Sequence, residues 1–224
     1  MKRTDPSPTG AAPRSPAIDW VNPRRLDLDP GVARSGLLDF GEVLRSRRST
    51  RRLEKATLQQ VAAVVREALK ADYTGTGMHE GRKRKRVISA GALHPVNCVL
   101  IDPDEGAIYY DDENDVFVAV QPRDQALLGT YLAKCEDVLP TARGHVIGLI
   151  ADVRDLSSVY TDHETLLWRD AGAVLQTLAL TSEASNLGFC PLGILGQELA
   201  DALLGNDQAF VGVGAAAIGR RVQE

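Results

Sequence analysis

The sequence is short of cysteine and has no long hydrophobic run. Its three cysteines, Cys98, Cys135 and Cys190, form no Cys-x-x-Cys pair, and no histidine stands near them at ligand-like spacing. This usage excludes a disulfide framework and a structural zinc site. No run is long enough to cross a bilayer, and the first residues lack the apolar core of a signal peptide. We therefore expect a reduced, cytoplasmic protein without membrane contact.

Several sequence motifs that would indicate a function are also missing. There is no GxGxxG fingerprint, no Walker loop, no nucleophile elbow and no cluster of histidine, cysteine and carboxylate residues at metal-ligand spacing. The formal net charge of −4 argues against nucleic acid as a partner. The sequence thus indicates a globular protein that holds no metal and carries no dinucleotide fingerprint.

The composition changes along the chain. Residues 1–17 are rich in proline, serine, threonine and glycine, which predicts a disordered tail or a strap laid over a partner. Residues 18–36 combine apolar side chains with prolines and charges and suggest an extended arm. The remainder is long enough to bury a large core. We expect a tail and arm over residues 1–36 and one folded domain over residues 37–224.

The longest periodic stretch covers residues 163–188. Apolar residues recur there at helical spacing, and no proline interrupts them. Residues 171–180 are apolar almost all round, which predicts burial in a domain centre or in a subunit interface. Gly172 lowers helix propensity, so we expect another group to approach the backbone closely there. Gly188 is expected to end the helix in a left-handed conformation.

The other elements alternate irregularly. Asp39 and Thr57 are good N-caps for two short helices. Two strands joined by a turn at residues 102–106 predict a hairpin. This order of elements predicts an α+β fold with helices flanking one central mixed β-sheet. The remaining predicted elements are helices over residues 123–139 and 197–204 and strands over residues 115–120, 145–153 and 210–218.

Four short segments are candidates for binding a phosphate or a flat ring. Arginine forks and hydroxyls in residues 47–52 fit phosphate oxygens, and the C-terminal arginine pair offers a second set, although each also fits a solvated turn or tail. Residues 89–91 form a small-residue turn, and the loop at residues 191–193 is apolar and glycine-rich. The candidates are Arg47, Arg48, Ser49, Arg51, Ser89, Ala90, Gly91, Pro191, Leu192, Gly193, Arg220 and Arg221.

In this order the segments resemble a known family. Residues 47–51, RRSTR, resemble the RRSxR stretch of nitroreductase-like flavoproteins. Residues 89–95, SAGALHP, resemble the PSAGxLHP motif of the SagB-type dehydrogenase branch, which contains azoline oxidases. Residues 170–172, DAG, and residues 186–193, NLGFCPLG, resemble the long helix of that branch and its GLGxCPxG ending. The resemblance runs from Leu38 to the C-terminus.

The resemblance implies a nitroreductase-like fold with FMN bound at the interface of an intertwined homodimer. Arg47, Ser49 and Arg51 would hold the phosphate and the ribityl chain, with help from Arg220 or Arg221. Residues 89–91 would come from the other subunit. Leu192 and Gly193 would lie against the isoalloxazine, with a backbone N–H reaching its N5 atom.

The sequence departs from the branch before the long helix. Azoline oxidases often carry a Lys-Tyr pair there, taken to act in proton removal, whereas residues 156–160 read LSSVY. Tyr160 is thus the predicted catalytic residue, a weak acid or base without the lysine. The basic run at residues 82–86 is interpreted as a solvated loop. A second interpretation is a docking site for an acidic leader peptide or partner protein.

The expected reaction is an FMN-dependent two-electron oxidation of a peptide-derived, azoline-type substrate or of another small molecule. Two alternatives stay open. One is NAD(P)H-dependent reduction of nitro compounds or quinones, and the other is a non-catalytic scaffold subunit of a peptide-modification complex. The expected partners are a second copy of the chain, the substrate and the proteins of such a complex.

Overall fold

The computed structural model describes residues 4–28, 31, 39–140 and 142–222. The predicted boundary between residues 36 and 37, and Leu38, lie outside these ranges. The helices of the described residues are α1 (Phe40–Ser46), α2 (Leu58–Leu69), α3 (Gln125–Val138), α4 (Arg154–Val159), α5 (Glu164–Ala184) and α6 (Gln197–Leu204). The strands are β1 (Ser7–Pro8), β2 (Arg24–Leu26), β3 (Leu53–Glu54), β4 (Ala71–Thr74), β5 (Lys83–Lys85), β6 (Val96–Asp102), β7 (Gly106–Asp111), β8 (Val116–Val120), β9 (His145–Asp152), β10 (Tyr160–Thr161), β11 (Gly188–Leu192) and β12 (Phe210–Arg221).

One large sheet organises the molecule. Its strands lie in the order β11-β12-β9-β6-β7-β8-β2, and β3 pairs with the far end of β12. The ladders of this sheet are antiparallel, and parallel pairing occurs in isolated bridges, such as that between Ser49 and Phe189. The predicted α+β fold is confirmed, but the sheet is antiparallel where a mixed one was predicted. Short turns join β6, β7 and β8, and such turns make antiparallel neighbours.

Helices cover both faces of the sheet. Leu100 on β6 packs in the core that includes α2 and α5, whereas Val99 and Ile101 pack in the core that includes α3 and α6. This alternation is that of a strand buried on both faces. The domain therefore has three layers, with the sheet in the middle.

The two predicted N-caps are confirmed. The side chain of Asp39 accepts a hydrogen bond from the backbone N–H of Gly41. Thr57 and Gln60 form a reciprocal capping box at the start of α2. Each such cap is worth about 1 kcal/mol, so these helices begin where their local sequence dictates.

The long helix α5 is buried on one face and open on the other. Leu167, Ala171 and Val174 are buried, whereas Trp168 keeps 44% of its surface exposed. Gly172 is exposed too, and a Cβ built on it would meet no atom within 4 Å. The predicted close approach at Gly172 is therefore wrong within this chain, because the residue lies away from the face that packs against the sheet.

The end of α5 also differs from the prediction. Asn186 takes the left-handed conformation, with φ of 57°. Gly188, the predicted cap, already begins β11 and pairs with Gly219 on β12. Asparagine tolerates this conformation better than most residues with a side chain. The helix is thus shorter than predicted, and the segment Gly188–Leu192, part of a predicted loop, is a strand.

The N-terminal segment lies on its own chain. In the N-terminal strap, which we define as residues 5–16, Pro8 pairs opposite Tyr160 and the hydroxyl of Thr9 donates to the carbonyl of Ser158 at 2.6 Å. Farther on, the backbone N–H groups of Arg14 and Ser15 donate to the carboxylate of Asp155. The described part of the predicted tail therefore covers α4 and β10 of the same chain. No helix in the described ranges is long and apolar enough to span a membrane.

Candidate functional site

The loop at residues 89–91 is fixed to the long helix. The hydroxyl of Ser89 donates to the carboxylate of Asp170 at 2.5 Å, and the backbone N–H of Ala90 donates to the same carboxylate at 3.3 Å. Burial raises the pKa of Asp170, and these two hydrogen bonds oppose the rise. The sequence singled out Asp170 only as part of the DAG motif, and its hydrogen bond with Ser89 was not predicted.

The same loop meets the predicted catalytic residue. Gly91 has φ of +59°, and a Cβ built on it would lie 2.6 Å from Tyr160 Oη and 2.9 Å from Arg82 Nη1. Arg82 Nη1 also donates to the carbonyl of Gly91. Ala92 and His94 follow with φ of 57° and 49°, so the backbone here is strained in the way that functional sites often are. The structure thus brings residues 89–91 and Tyr160 together.

The basic run is not a solvated loop. Lys85 keeps 4% of its side chain exposed and forms an ion pair with Asp112, and Lys83 pairs with Asp112 at 3.1 Å and with Glu113 at 2.7 Å. Burial lowers the pKa of Lys85 despite the attraction of Asp112. Burial pushes the pKa of Asp112 up, but the two lysines outweigh it and the net shift is downward. The prediction was wrong because strand β5 alternates, with Arg84 alone of its three cations facing solvent.

His94 connects the loop to this strand. Its Nε2 atom lies 2.9 Å from the carbonyl oxygen of Lys83. Burial, with a smaller contribution from the charge of Lys85, lowers the pKa of His94 to about 4. The ring is therefore uncharged near neutral pH and acts as a structural link. We call Arg82, residues 89–94, Tyr160 and Asp170 the loop half of the candidate site.

The second half of the site lies at the edge of the sheet. Ser49 forms a parallel bridge with Phe189 of β11, and the backbone N–H of Thr50 donates to the carbonyl of Phe189 at 3.0 Å. Arg51 lies close enough to Cys190 for its charge to oppose the rise in the Cys190 pKa that burial causes. Residues 47–51 and β11 with Gly193, which we call the strand half, are thus neighbours.

The exposure of the strand half suits a ligand. Arg48, Ser49 and Arg51 are exposed. Arg47 is partly buried, and its backbone N–H closes α1 by donating to the carbonyl of Val43. In the loop at residues 191–193, Pro191 and Gly193 are exposed, whereas the Leu192 side chain is buried in the core that includes α3 and α6. A Cβ built on Gly193 would meet no atom within 4 Å. A ligand at this loop would therefore face backbone and not the leucine side chain.

The two C-terminal arginines have different partners. Arg221 forms an ion pair with Glu183 and donates to the carbonyl of Leu187 at 3.2 Å. Its buried Nε atom has no hydrogen-bond partner among the described residues. Arg220 is exposed, donates to the carbonyl of Lys55 at 3.1 Å and pairs with Glu54 at 3.3 Å. Arg221 thus ties β12 to the C-terminal end of α5.

The two halves are anchored at different places on the long helix. Asp170 holds the loop half, and Glu183 holds Arg221 beside the strand half. Both residues lie on α5, and at 1.5 Å per residue they are about 20 Å apart along its axis. The structure therefore groups the predicted site residues into two clusters, and Asp170 and Glu183, which support them, lie at different levels of the same helix.

Comparison with known proteins agrees with this architecture. The sequence pattern of the nitroreductase family matches residues 44–220. A putative nitroreductase from Ralstonia eutropha JMP134 is 17% identical with a TM-score of 0.67, covering 99% of this chain and 100% of that one. A putative nitroreductase from Desulfovibrio desulfuricans in complex with FMN is 22% identical with a TM-score of 0.54, covering 83% of this chain and 88% of that one.

A third similar structure comes from a larger assembly. A chain of the Escherichia coli microcin synthetase McbBCD complex with truncated pro-MccB17 bound is 13% identical with a TM-score of 0.58, covering 80% of this chain and 71% of that one. No protein with a curated description matches. At these identities the solved structures show the fold, while the family pattern covers most of the chain. The chain belongs to the nitroreductase family of FMN-dependent oxidoreductases.

Proposed function

We propose that this oxidoreductase is a SagB-type dehydrogenase that oxidises a peptide-derived, azoline-type substrate or a related small molecule. The observation that carries the proposal is the contact between Tyr160 and the SAGALHP loop. A proton-transferring phenol stands against Gly91, in the loop that resembles the PSAGxLHP motif of that branch. The motif and the candidate catalytic group thus belong to one cluster.

The residues of the strand half fit FMN. Exposed arginines and Ser49 offer the forked and hydroxyl donors that a phosphate needs. Arg221 keeps one buried N–H without a partner in the described part of the chain, which leaves it a donor for a bound group. The open space at Gly193 allows a flat ring to approach backbone. In this proposal residues 47–51 hold the phosphate and ribityl chain, and residues 192–193 face the isoalloxazine.

The proposed site is shared between two copies of the chain. Asp170, which holds the loop half, and Glu183, which holds Arg221 beside the strand half, are about 20 Å apart along α5, and a second subunit is the simplest way to bring a loop half to a strand half. The open face of α5, with Trp168 and Gly172, offers the surface for that subunit. A homodimer would thus complete each site with residues 89–91 of the other chain.

The proposed reaction divides between the cofactor and the protein. FMN, when bound, supplies the acceptor for a hydride. An azoline that becomes an azole loses a hydride and a proton, so a protein group must take the proton. We assign that proton to the Tyr160 oxygen. Asp170 holds the loop in place through Ser89 and Ala90 and has no part in the transfer itself.

The similar structures support two further parts of the proposal. The microcin synthetase McbBCD complex has truncated pro-MccB17 bound, and this supports a peptide-derived substrate and partner proteins for our chain. The three cysteines are free and buried, which suits the reducing cytoplasm, where we place the reaction.

The experiment begins with the purified protein, which should be yellow and release FMN and not FAD when denatured. Anaerobic addition of an azoline-containing peptide should bleach the flavin and convert the azoline to an azole that has lost two hydrogens. Tyr160→Phe should keep FMN and lose the conversion. Rapid bleaching by NAD(P)H without azoline oxidation would instead identify the nitro or quinone reductase. A colourless protein that takes up no added FMN would identify the scaffold.

A further inference from the structure

A large cavity borders the loop half, between the N-terminal segment and strands β6 and β7. Its volume is about 700 Å³, which is within the size range of small-molecule sites. Leu93 and His94 of the loop half line it on one side, and residues 13–18 with Trp20 line it on the other. None of the residues assigned to FMN is among its lining residues. The cavity is therefore a separate space next to the candidate site.

The N-terminal wall of the cavity is held in place. Pro13 of the N-terminal strap is buried and lies 2.8 Å from the position of a Cβ added to Gly81. Ser15 donates to one carboxylate oxygen of Asp155 through its backbone N–H at 2.9 Å and through its hydroxyl at 2.7 Å. The segment that the sequence predicted as a strap therefore forms a fixed wall of this cavity.

An aromatic pair lies in the same cavity. The rings of Trp20 and Tyr109 are stacked, with centroids 4.8 Å apart and planes inclined by 31°. Both residues are partly buried and line the cavity. The face of an aromatic ring attracts cations, and a planar guanidinium can stack on it.

The charged groups of the cavity are mainly acidic. Two cations, Arg14 and Lys83, line it. Five carboxylates also line it, and they belong to Glu80, Asp111, Glu113, Asp152 and Asp155. Glu113 pairs with Lys83 at 2.7 Å and Asp152 pairs with Arg154 at 2.6 Å, but over the described ranges Glu80 and Asp111 form no ion pair. The cavity therefore keeps an excess of negative charge.

This negative charge reaches the aromatic pair. Burial is the largest cause that raises the pKa of the Tyr109 hydroxyl, and the charges of Asp112, Asp111, Glu113 and Asp152 raise it further. A group that resists becoming an anion lies in a field that favours a cation. The aromatic surface and the carboxylates therefore select the same class of ligand.

We propose that this cavity binds a basic side chain of a peptide, with its cation against Trp20 and Tyr109 and close to the carboxylates. Arginine fits best, because one guanidinium can stack on a ring and donate to carboxylates at once. The charge preference is opposite to the docking of an acidic peptide that the basic run at residues 82–86 suggested. That the peptide is the substrate rests on the proposed function, while the cation site rests on geometry and charge.

The test is isothermal titration calorimetry on the purified protein with its FMN bound. The probes are an acetylated and amidated GRGRG peptide and the same peptide with citrulline in place of both arginines. Citrulline has nearly the shape of arginine but carries no charge. The arginine peptide should bind at least about tenfold more tightly, because only it gains the aromatic and carboxylate contacts.

Variants of the lining residues locate the binding. Glu80→Gln and Asp111→Asn should each weaken binding of the arginine peptide by about two- to fivefold, and together by about tenfold. Asparagine keeps the oxygen that accepts from the backbone at residues 113 and 114. Trp20→Leu should also cost about two- to fivefold. The matched control is Glu136→Gln on α3, which removes an exposed negative charge outside the cavity and should change nothing. Far-ultraviolet circular dichroism confirms that each variant is folded.

The titration separates this inference from the proposed function. It needs no turnover, so binding of the arginine peptide can be confirmed even if azoline oxidation fails. Equal binding of the two peptides, or equal weakening by Glu136→Gln and by the double variant, would refute the cation site even if the oxidation is observed. Where the oxidation is observed, an arginine near the azoline should lower KM at unchanged kcat, because it adds binding that does not change in the transition state.

Discussion

The two halves of the candidate site are built in opposite ways. In the loop half, Ser89 is paired with Asp170, and on strand β5, to which His94 joins the loop, Lys85 is paired with Asp112. In the strand half, Arg48 and Ser49 are exposed, and the segment is aligned with β11 mainly through backbone hydrogen bonding at Phe189. One half is a preformed scaffold, and the other is a set of surface donors.

The difference assigns different tasks to the two halves. Groups that must act at a fixed distance, such as Tyr160 and the loop backbone, need a rigid support, because misplacement of reacting groups is costly in rate. Groups that hold an anion need charge and accessibility, and the ligand itself can complete their order. Substitutions in the loop half should therefore cost folding stability, and substitutions in the strand half should cost cofactor affinity.

The largest expected effect is that of Asp112→Ala. The change leaves Lys85, which has 4% of its side chain exposed, as an unpaired buried cation. Removing one partner of a buried ion pair costs about 3–5 kcal/mol. Urea denaturation should show this loss in the free energy of unfolding. The double variant Asp112→Leu with Lys85→Met should recover most of it, because the buried Lys85 charge is gone and Lys83 keeps Glu113 as its partner.

Glu113→Ala is the matched control. Glu113 pairs with Lys83 at 2.7 Å but keeps 44% of its side chain exposed. Lys83 keeps Asp112 as its partner when the half-exposed Glu113 is removed, so this variant should lose only about 0–1 kcal/mol. Equal losses for Asp112→Ala and Glu113→Ala would mean that the loop half is no more preformed than the surface around it.

The strand half should respond in the reverse manner. Because Arg51 is exposed, Arg51→Ala should lower the free energy of unfolding of the apoprotein far less than Asp112→Ala does. A charge-assisted hydrogen bond to a phosphate is worth about 1.5–3 kcal/mol, so the Kd for FMN should rise by about one to two decades. Flavin fluorescence on reconstitution measures the Kd. Arg52→Ala, at the exposed neighbouring position, should change it little, and an unchanged Kd in Arg51→Ala would return that residue to a solvated turn.

The elements that the sequence predicted correctly are those with local signals. Thr57 caps α2 together with Gln60, three residues later in the sequence. The hairpin of β6 and β7 turns at residues 102–106, where the residue types themselves favour a turn. The antiparallel sheet has no such signal, because the order of β9, β6 and β12 is decided by packing of distant segments. The motif segments could be recognised for the same reason as the caps, because each is a short continuous stretch of sequence.

The contacts within the site could not be predicted in this way. Lys85 and Asp112 are 27 residues apart, and five consecutive cations give no alternation from which to tell the buried ones from the exposed ones. Tyr160, Gly91 and Arg82 come from separate elements and meet only in the fold. The roles assigned to residues 47–51, 89–91 and 191–193 stay predictions until FMN binding is measured.

A smaller effect should appear in the dependence of stability on pH. The pKa of His94 falls from 6.5 to about 4 in the folded chain, so the unfolded chain binds its proton first as the pH falls. The contribution of neutral His94 to the free energy of unfolding is fully present above pH 6.5 and is lost as the pH falls from 6.5 to about 4. The full shift is worth at most about 3 kcal/mol, and nearer half of that because the ring is only half-buried.

Urea denaturation across this pH range measures the loss. Burial lowers the pKa of His145 as well, so the wild-type slope contains both histidines. His94→Gln keeps a side-chain donor for the carbonyl of Lys83 and should flatten the slope without abolishing it. An unchanged slope in His94→Gln would show that the link between the loop and β5 does not depend on a neutral ring.

The smallest effect tests whether a second copy of the chain packs on the open face of α5. The sign of the change in stability on replacing glycine by alanine there gives the answer. Gly129 on α3 and Gly172 on α5 are both exposed, and neither would bring an added Cβ within 4 Å of another atom of the chain. Alanine is favoured over glycine inside a helix by about 1 kcal/mol. Gly129→Ala should therefore stabilise the protein by about that amount.

Gly172→Ala should gain as much if α5 faces only water. If a second copy packs on this face, the added methyl group should instead weaken the dimer, because closely packed surfaces do not accept extra volume. Thermal unfolding at several protein concentrations, with light scattering on the same samples, measures both properties. We expect Gly172→Ala to lower the midpoint and to make it more dependent on concentration. Equal stabilisation by both substitutions would contradict the shared site, because the open face of α5 would then carry no partner.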